Sequence, residues 1–226
     1  NQQSITGENT GLGHKSLFSI QGSSTSGLSN TAIGYKSMYS NELGNYNTAI
    51  GVNSLHDNYI GTHNSAFGYD ALKASNYNDG TTFLSFAGNS AFGYGAGKDN
   101  VNGLENVYFG YNAGAYYSGG NNNTMIGTSA GGGAGSSMKT GSNNVFIGYK
   151  AGFGEVGSNK LYISNSETST PLIKGDFANS IVNINGKLGV ESLGIGSSNP
   201  LVNFHIKTNK GGDPNRPDGH VMLIEN

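Results

Sequence analysis

The chain of 226 residues contains no cysteine and no tryptophan and only 4 prolines. Disulfides, thiolate metal sites and a cysteine nucleophile are therefore excluded. Charge is scarce too: 12 basic and 14 acidic residues leave a net charge of -2, with neither sign clustered. That argues against a nucleic-acid partner and against an anionic-membrane surface. No apolar run approaches the ~18 residues of a membrane span, so no membrane insertion is expected, and the opening Asn1-Gln2-Gln3 shows no signal-peptide pattern. The chain reads as a segment of something longer. Leu, Ile, Val and Phe total only 47 residues, close to the limit at which a chain stops burying enough apolar surface to fold. What fills the chain instead is 38 Gly, 31 Asn and 27 Ser. Glycine without a strict G-X-Y period excludes collagen, and each glycine inside a helix costs about 1 kcal/mol. Turn-rich, all-β structure remains.

A repeat organises that composition. The unit N-[TSV]-x-[IFL]-G-x-x-[SA]-[LMG] begins at Asn9, Asn30, Asn47, Asn64, Asn89, Asn106, Asn123 and Asn144, and its glycine follows at Gly13, Gly34, Gly51, Gly68, Gly93, Gly110, Gly127 and Gly148. The steps are 21, 17, 17, 25, 17, 17 and 21 residues, a basic period lengthened by loop insertions. Six units carry a further glycine three residues before the Asn, where a tight turn would feed a strand (Gly27, Gly44, Gly61, Gly103, Gly120, Gly141). So short a unit fits two strands and two turns, one coil of a parallel β-solenoid. Coils rising ~4.8 Å each would stack to roughly 40 Å. The recurrent Asn is then structural: each amide can donate to the coil on one side and accept from the other.

Comparison of the units assigns faces. The fourth residue is always Leu, Ile or Phe (Leu12, Ile33, Ile50, Phe67, Phe92, Phe109, Ile126, Ile147) and is expected to be buried. The seventh varies freely and is expected to face water. The third and ninth trade volume: Ala32, Ala49 and Ala66 accompany Met38, Leu55 and Leu72, whereas Tyr108, Met125 and Phe146 accompany Gly114, Gly131 and Gly152. Both positions should fill the same space. Unit five, with Ala91 and Gly97, is small at both, so Phe83, Leu84 or Phe86 of the preceding long loop is expected to turn inward. Two or three apolar side chains per coil make a thin core, which predicts association with identical partners.

Units such as Asn30-Thr31-Ala32-Ile33-Gly34-Tyr35-Lys36-Ser37-Met38 resemble the head repeats of trimeric autotransporter adhesins and the related β-roll repeats of phage tail-fibre proteins. The resemblance covers residues 9 to 152. It implies a left-handed β-roll of three chains around one axis, extracellular on a cell surface or a virion, that adheres to a host-cell glycan or protein receptor. The repeat domain is expected over residues 1–158. Residues 159–226, which hold all four prolines, read as a short-stranded β connector or fibre region, in which His220-Val221-Met222-Leu223-Ile224-Glu225-Asn226 reads as the opening strand of a further unit cut off by truncation.

Chemistry is sparse. Gly152-Phe153-Gly154-Glu155-Val156-Gly157 matches G-x-G-x-x-G, but no helix pattern follows to cradle a phosphate. The five histidines have no ligand-type spacing, and the coils carry Asn and Ser where calcium-binding repeats need Asp. No cofactor, no metal and no enzymatic activity are expected. A solenoid polysaccharide depolymerase stays open, because two acids could meet only in three dimensions. An ice-binding solenoid is disfavoured, because the second position is no Thr array: it holds Val107 and Val145. The binding candidates are the sixth-position tyrosines Tyr35, Tyr69, Tyr94, Tyr111 and Tyr149, joined by Tyr77 and Phe83 of the 73–86 insertion. Tyrosine suits sugar and protein partners, although a packing ladder or subunit contact would use the same residues.

Overall fold

The computed structural model describes residues 8–20, 27–74, 87–133 and 139–188. Each unit supplies one three-residue strand: β1 (Thr10–Leu12), β2 (Thr31–Ile33), β3 (Thr48–Ile50), β4 (Ser65–Phe67), β5 (Ser90–Phe92), β6 (Val107–Phe109), β7 (Thr124–Ile126) and β8 (Val145–Ile147). They pair in parallel and in sequence order, with equivalent residues aligned: Ala49 lies opposite Ala66 and Phe92 opposite Phe109. The chain is thus an all-β parallel β-solenoid of about eight turns. Beyond residue 158 the parallel ladder gains a ninth rung, β9 (Lys160–Ile163), which pairs with β8. Then β10 (Ile173–Asp176) and β11 (Ile181–Ile184) add antiparallel. The chain divides into two compact units, residues 1–186 and 187–226. The connector motifs between Leu193 and His220 lie outside the described residues.

Among the described residues each coil contains one strand rather than two, because the backbone leaves the β region four times per turn. The repeat glycine takes φ between +110° and +139°, as at Gly148 and Gly68, and the residue before each Asn, the seventh and the ninth are left-handed. Even Leu17, Met38, Leu55 and Leu72 sit at φ near +48°, a region that costs a side-chain-bearing residue about 1 kcal/mol. Their amides offset that cost by bonding to adjacent coils, as Met38 N donates to Ser54 O at 2.9 Å and Lys36 N to His14 O at 3.0 Å. The turn faces therefore continue the ladder without being strands.

The Asn column forms as expected. Asn30, Asn47, Asn64, Asn89, Asn106, Asn123 and Asn144 are fully buried. Asn47 donates from both its backbone N and its Nδ2 to Asn30 Oδ1 (3.0 and 3.1 Å), and Nδ2 also reaches Gly61 O at 2.7 Å. The pattern recurs between successive coils, including the 25-residue step from Asn64 to Asn89, and ends where Lys160 N of β9 donates to Asn144 Oδ1 at 2.8 Å. The extra glycine ahead of an Asn supplies the carbonyl that the preceding coil's Asn amide binds, as Gly61, ahead of Asn64, does for Asn47.

One expected face is reversed, and a second is only half open to water. The fourth position is not buried: Leu12 is 66% and Phe109 56% exposed, Ile50, Phe92, Ile126 and Ile147 are exposed as well, and Ile33 and Phe67 are half-buried. Asn at the first position points inward, so period-two alternation turns the third inward and the second and fourth outward. Invariance there marks a surface and not a core. The seventh position is also less free than its variety suggested, since it is left-handed in every coil and half-buried in most. Its Asn, Asp, Ser and Gly are residues that tolerate that backbone, though its lysines are not.

The core is built on the third and ninth columns, with the buried eighth-position alanines Ala71, Ala96, Ala113, Ala130 and Ala151 beside them. A Cβ on Gly152 would lie 2.6 Å from Phe146, and one on Gly131 2.2 Å from Met125 Sδ. The room at coil five is filled from the neighbouring coils: a Cβ on Gly97 would meet Tyr108 at 2.5 Å and Leu72 at 2.9 Å. Phe83, Leu84 and Phe86 lie outside the described residues, and no gap at Gly97 waits for them.

Where coils approach most closely, the glycine is obligatory. A Cβ on Gly93 (φ +132°) would stand 2.6 Å from Gly110 O, whereas one on Gly154 (φ +82°) meets nothing within 4 Å. Gly93→Ala is expected to cost upward of about 3 kcal/mol, through clash and strain combined, and Gly154→Ala about 1 kcal/mol from strain alone. Urea unfolding of the two variants measures the difference, and equal costs would mean that coil spacing is not the constraint.

Candidate interaction surface

Two exposed columns run side by side in sequence, separated by the repeat glycine. In the fourth-position column Phe67 stacks on Phe92 (ring centroids 4.6 Å apart, 5° between planes), and Phe92 leans on Phe109 at 5.8 Å. In the sixth-position column Tyr69 stacks on Tyr94 (5.1 Å, 5°) and Tyr94 on Tyr111 (5.2 Å, 13°). All five column tyrosines are exposed, between 45% and 54%. The arrangement follows from register, because equal positions in parallel rungs place equal rings one strand spacing apart. Tyr35 is separated from this trio by Val52 and stacks on His14 at 5.6 Å, and Tyr149 is separated from it by Thr128. Tyr77 and Phe83 lie outside the described residues.

Stacking limits what the tyrosines can do. Inner ring faces are occupied by neighbouring rings, so the column offers ring edges and hydroxyls rather than flat platforms. Lysines border it: Lys36 Nζ lies 5.4 Å from the Tyr35 ring and 5.5 Å from Tyr39, and Lys150 lies 5.7 Å from Tyr149. A third column, absent from the sequence reading, stacks Phe18, Tyr39 and His56 at 5.0 and 5.1 Å. Its signal was the tenth position of the first three units, just past the motif.

An internal polar cluster, which no motif marks as such, lies between the last coils. Lys139 is buried, its Nζ donating to Gly131 O at 3.1 Å and to Gly132 O, with the rings of Tyr117 and Phe153 at 5.7 and 5.8 Å. Burial pushes its pKa down to about 8, opposed by Glu155. Glu155 lies in the G-x-G-x-x-G stretch and takes the donors that a phosphate would need: Gly157 N at 2.7 Å, Val156 N at 3.0 Å and Tyr162 Oη at 2.6 Å. Burial pulls the Glu155 pKa up, but these bonds and Lys160 outweigh it, and the carboxyl titrates below its ordinary value. The stretch is a self-capped turn. Among the described residues no three His, Asp or Glu side chains group as metal ligands, and no helix is long and apolar enough to cross a membrane.

Compared with models of known families, with curated proteins and with solved structures, the chain finds no match. Function therefore rests on the surfaces themselves, on a rigid scaffold suited to a structural or fibrous role.

The buried lysine makes stability depend on pH. Between pH 8 and 10 the unfolded chain keeps the Lys139 proton that the folded chain releases, so stability rises there by at most about 3 kcal/mol. Above pH 10 the buried Tyr108 and Tyr117, whose pKa values burial raises, reverse the trend. Lys139→Met should flatten the rise between pH 8 and 10 in urea unfolding, and an unchanged rise would show that Lys139 is not its source.

Proposed function

We propose that the chain is a segment of a non-enzymatic, extracellular fibre, a homotrimeric left-handed β-roll of a tail fibre or surface adhesin whose tyrosine flank meets a glycan or protein receptor on a host cell. The observation that carries this reading is the fourth-position column. Eight apolar side chains from Leu12 to Ile147 lie in one straight file, six of them exposed in the single chain. Such a file is costly to leave in water, and a rung-for-rung match is offered by another copy of the same solenoid. The number three rests on the resemblance of the repeats to trimeric adhesin heads. The sixth-position column, one residue beyond the glycine, is then left for recognition through tyrosine edges, hydroxyls and the bordering lysines.

Light scattering on residues 1 to 226 should give about three times 23.4 kDa. Phe92→Asp with Phe109→Asp should dissociate the assembly. Replacing Tyr69, Tyr94 and Tyr111 with Ser should leave the assembly intact while weakening cell or glycan binding by about 1–3 kcal/mol per aromatic anchor. A monomer with cooperative unfolding contradicts the assembly. Dissociation of the tyrosine variant would move the subunit contact to that column.

A further inference from the structure

The tyrosine column has a chemical consequence that does not depend on any receptor. We propose that Tyr69, Tyr94 and Tyr111 form a modification site for oxidative cross-linking, in which a one-electron oxidant such as a peroxidase with hydrogen peroxide couples Tyr94 to Tyr69 or to Tyr111 as dityrosine, tying successive coils together covalently. Three observations carry this. The rings are about half exposed, at 45%, 48% and 54%, so an oxidant reaches them. They are near-parallel at 5.1 and 5.2 Å, so a radical on one has a phenol beside it. Competing sulfur and indole sinks are few: the chain has no cysteine or tryptophan, and the described methionines Met38 and Met125 are fully buried.

The backbone holds the partners in place. Gly95 N donates to Tyr69 O and Asn112 N to Tyr94 O, both at 2.8 Å, and the preceding glycines Gly68, Gly93 and Gly110 share φ values between +132° and +139°. The three side chains therefore leave the sheet in one direction from rungs that cannot drift apart. Coupling proceeds by loss of an electron to the oxidant and a proton to water from each of two adjacent phenols. The unpaired spin of each radical resides partly on the Cε carbons ortho to oxygen. A tilt of the exposed edges lets two Cε atoms join, and the hydrogen on each joined carbon moves to its phenol oxygen, restoring both rings. Two hydrogens are lost in all, and one hydrogen peroxide becomes two waters. Radicals on separate molecules must meet by diffusion, whereas here the partner is already held in place.

The fold supplies its own controls. Tyr35 and Tyr149 are equally exposed and occupy the same position of the repeat, but the neighbouring rungs of their column hold His14 and Val52, and Thr128, instead of tyrosine. The experiment treats the folded 226-residue chain with peroxidase and hydrogen peroxide, follows the fluorescence of the biphenol, and maps linked peptides by mass spectrometry on the band that keeps single-chain mobility in a denaturing gel. The expected result is linkage of the Tyr69 and Tyr94 peptides and of the Tyr94 and Tyr111 peptides, each with loss of two hydrogens, and none within the chain at Tyr35 or Tyr149. Tyr94→Phe keeps a stacked ring and, with its melting checked, should abolish both links. Unfolding in urea before oxidation should erase the selectivity. The proposal is overturned if links form mainly between chains, if Tyr35 or Tyr149 couples as often, if the three rings are oxidised singly without coupling, or if the oxidant leaves them untouched.

Discussion

The buried asparagine amide holds this solenoid to its pitch. Each one sits where a turn brings backbone groups away from water, and its Oδ1 takes two donors from the next coil, as Asn106 Oδ1 does from Asn123 N at 2.9 Å and Asn123 Nδ2 at 3.0 Å. Its Nδ2 meanwhile reaches the carbonyl of the glycine feeding that coil. A buried polar group left without its partner costs about 1–3 kcal/mol, so a coil displaced along the stack breaks several bonds at once. The glycine column sets the same distance from the other side, because any Cβ there would strike the carbonyl of the next coil. Amide column and glycine column together hold the rungs in equal register through loop insertions of different length.

Exact register decides what the rest of the molecule can be. With so little apolar residue available, the core is a shared file in which Ala with Leu or Met gives way to Tyr, Met or Phe with Gly, one large side chain per rung except at coil five, where Ala91 and Gly97 leave room that Leu72 and Tyr108 take. Rings lie between rungs where that suits packing, as Tyr108 does between Gly97 and Gly114. Outside, register turns any repeated residue into a column. The apolar file suits a second copy, and the tyrosine file suits recognition and coupling.

Much of this was legible in the residues. The period, the parallel stacking, the amide ladder and the exchange of volume between third and ninth positions all follow from comparing eight units. The fourth position was misread because constancy was taken for burial; alternation counted from Asn47 would have put Ala49 inside and Ile50 outside. The single strand per coil was hidden because left-handed backbone at Leu and Met has no sequence signature. The Lys139 cluster was hidden for another reason: Tyr117, Lys139, Glu155 and Tyr162 come from different coils and loops. Of the tyrosine stripe, its exposure and continuity over coils four to six could be anticipated. The stacking that closes the inner ring faces needed coordinates.

The asparagine column acts as a cooperative element of the fold and not as a local decoration of its turns. Native-state amide hydrogen exchange of Asn47, Asn89, Asn106 and Asn123 across a urea series tests it most directly. These amides are expected to exchange only through global unfolding, with the full urea dependence of the whole molecule. Exchange through local openings, with little urea dependence while the β3 to β7 strand amides stay protected, would contradict this.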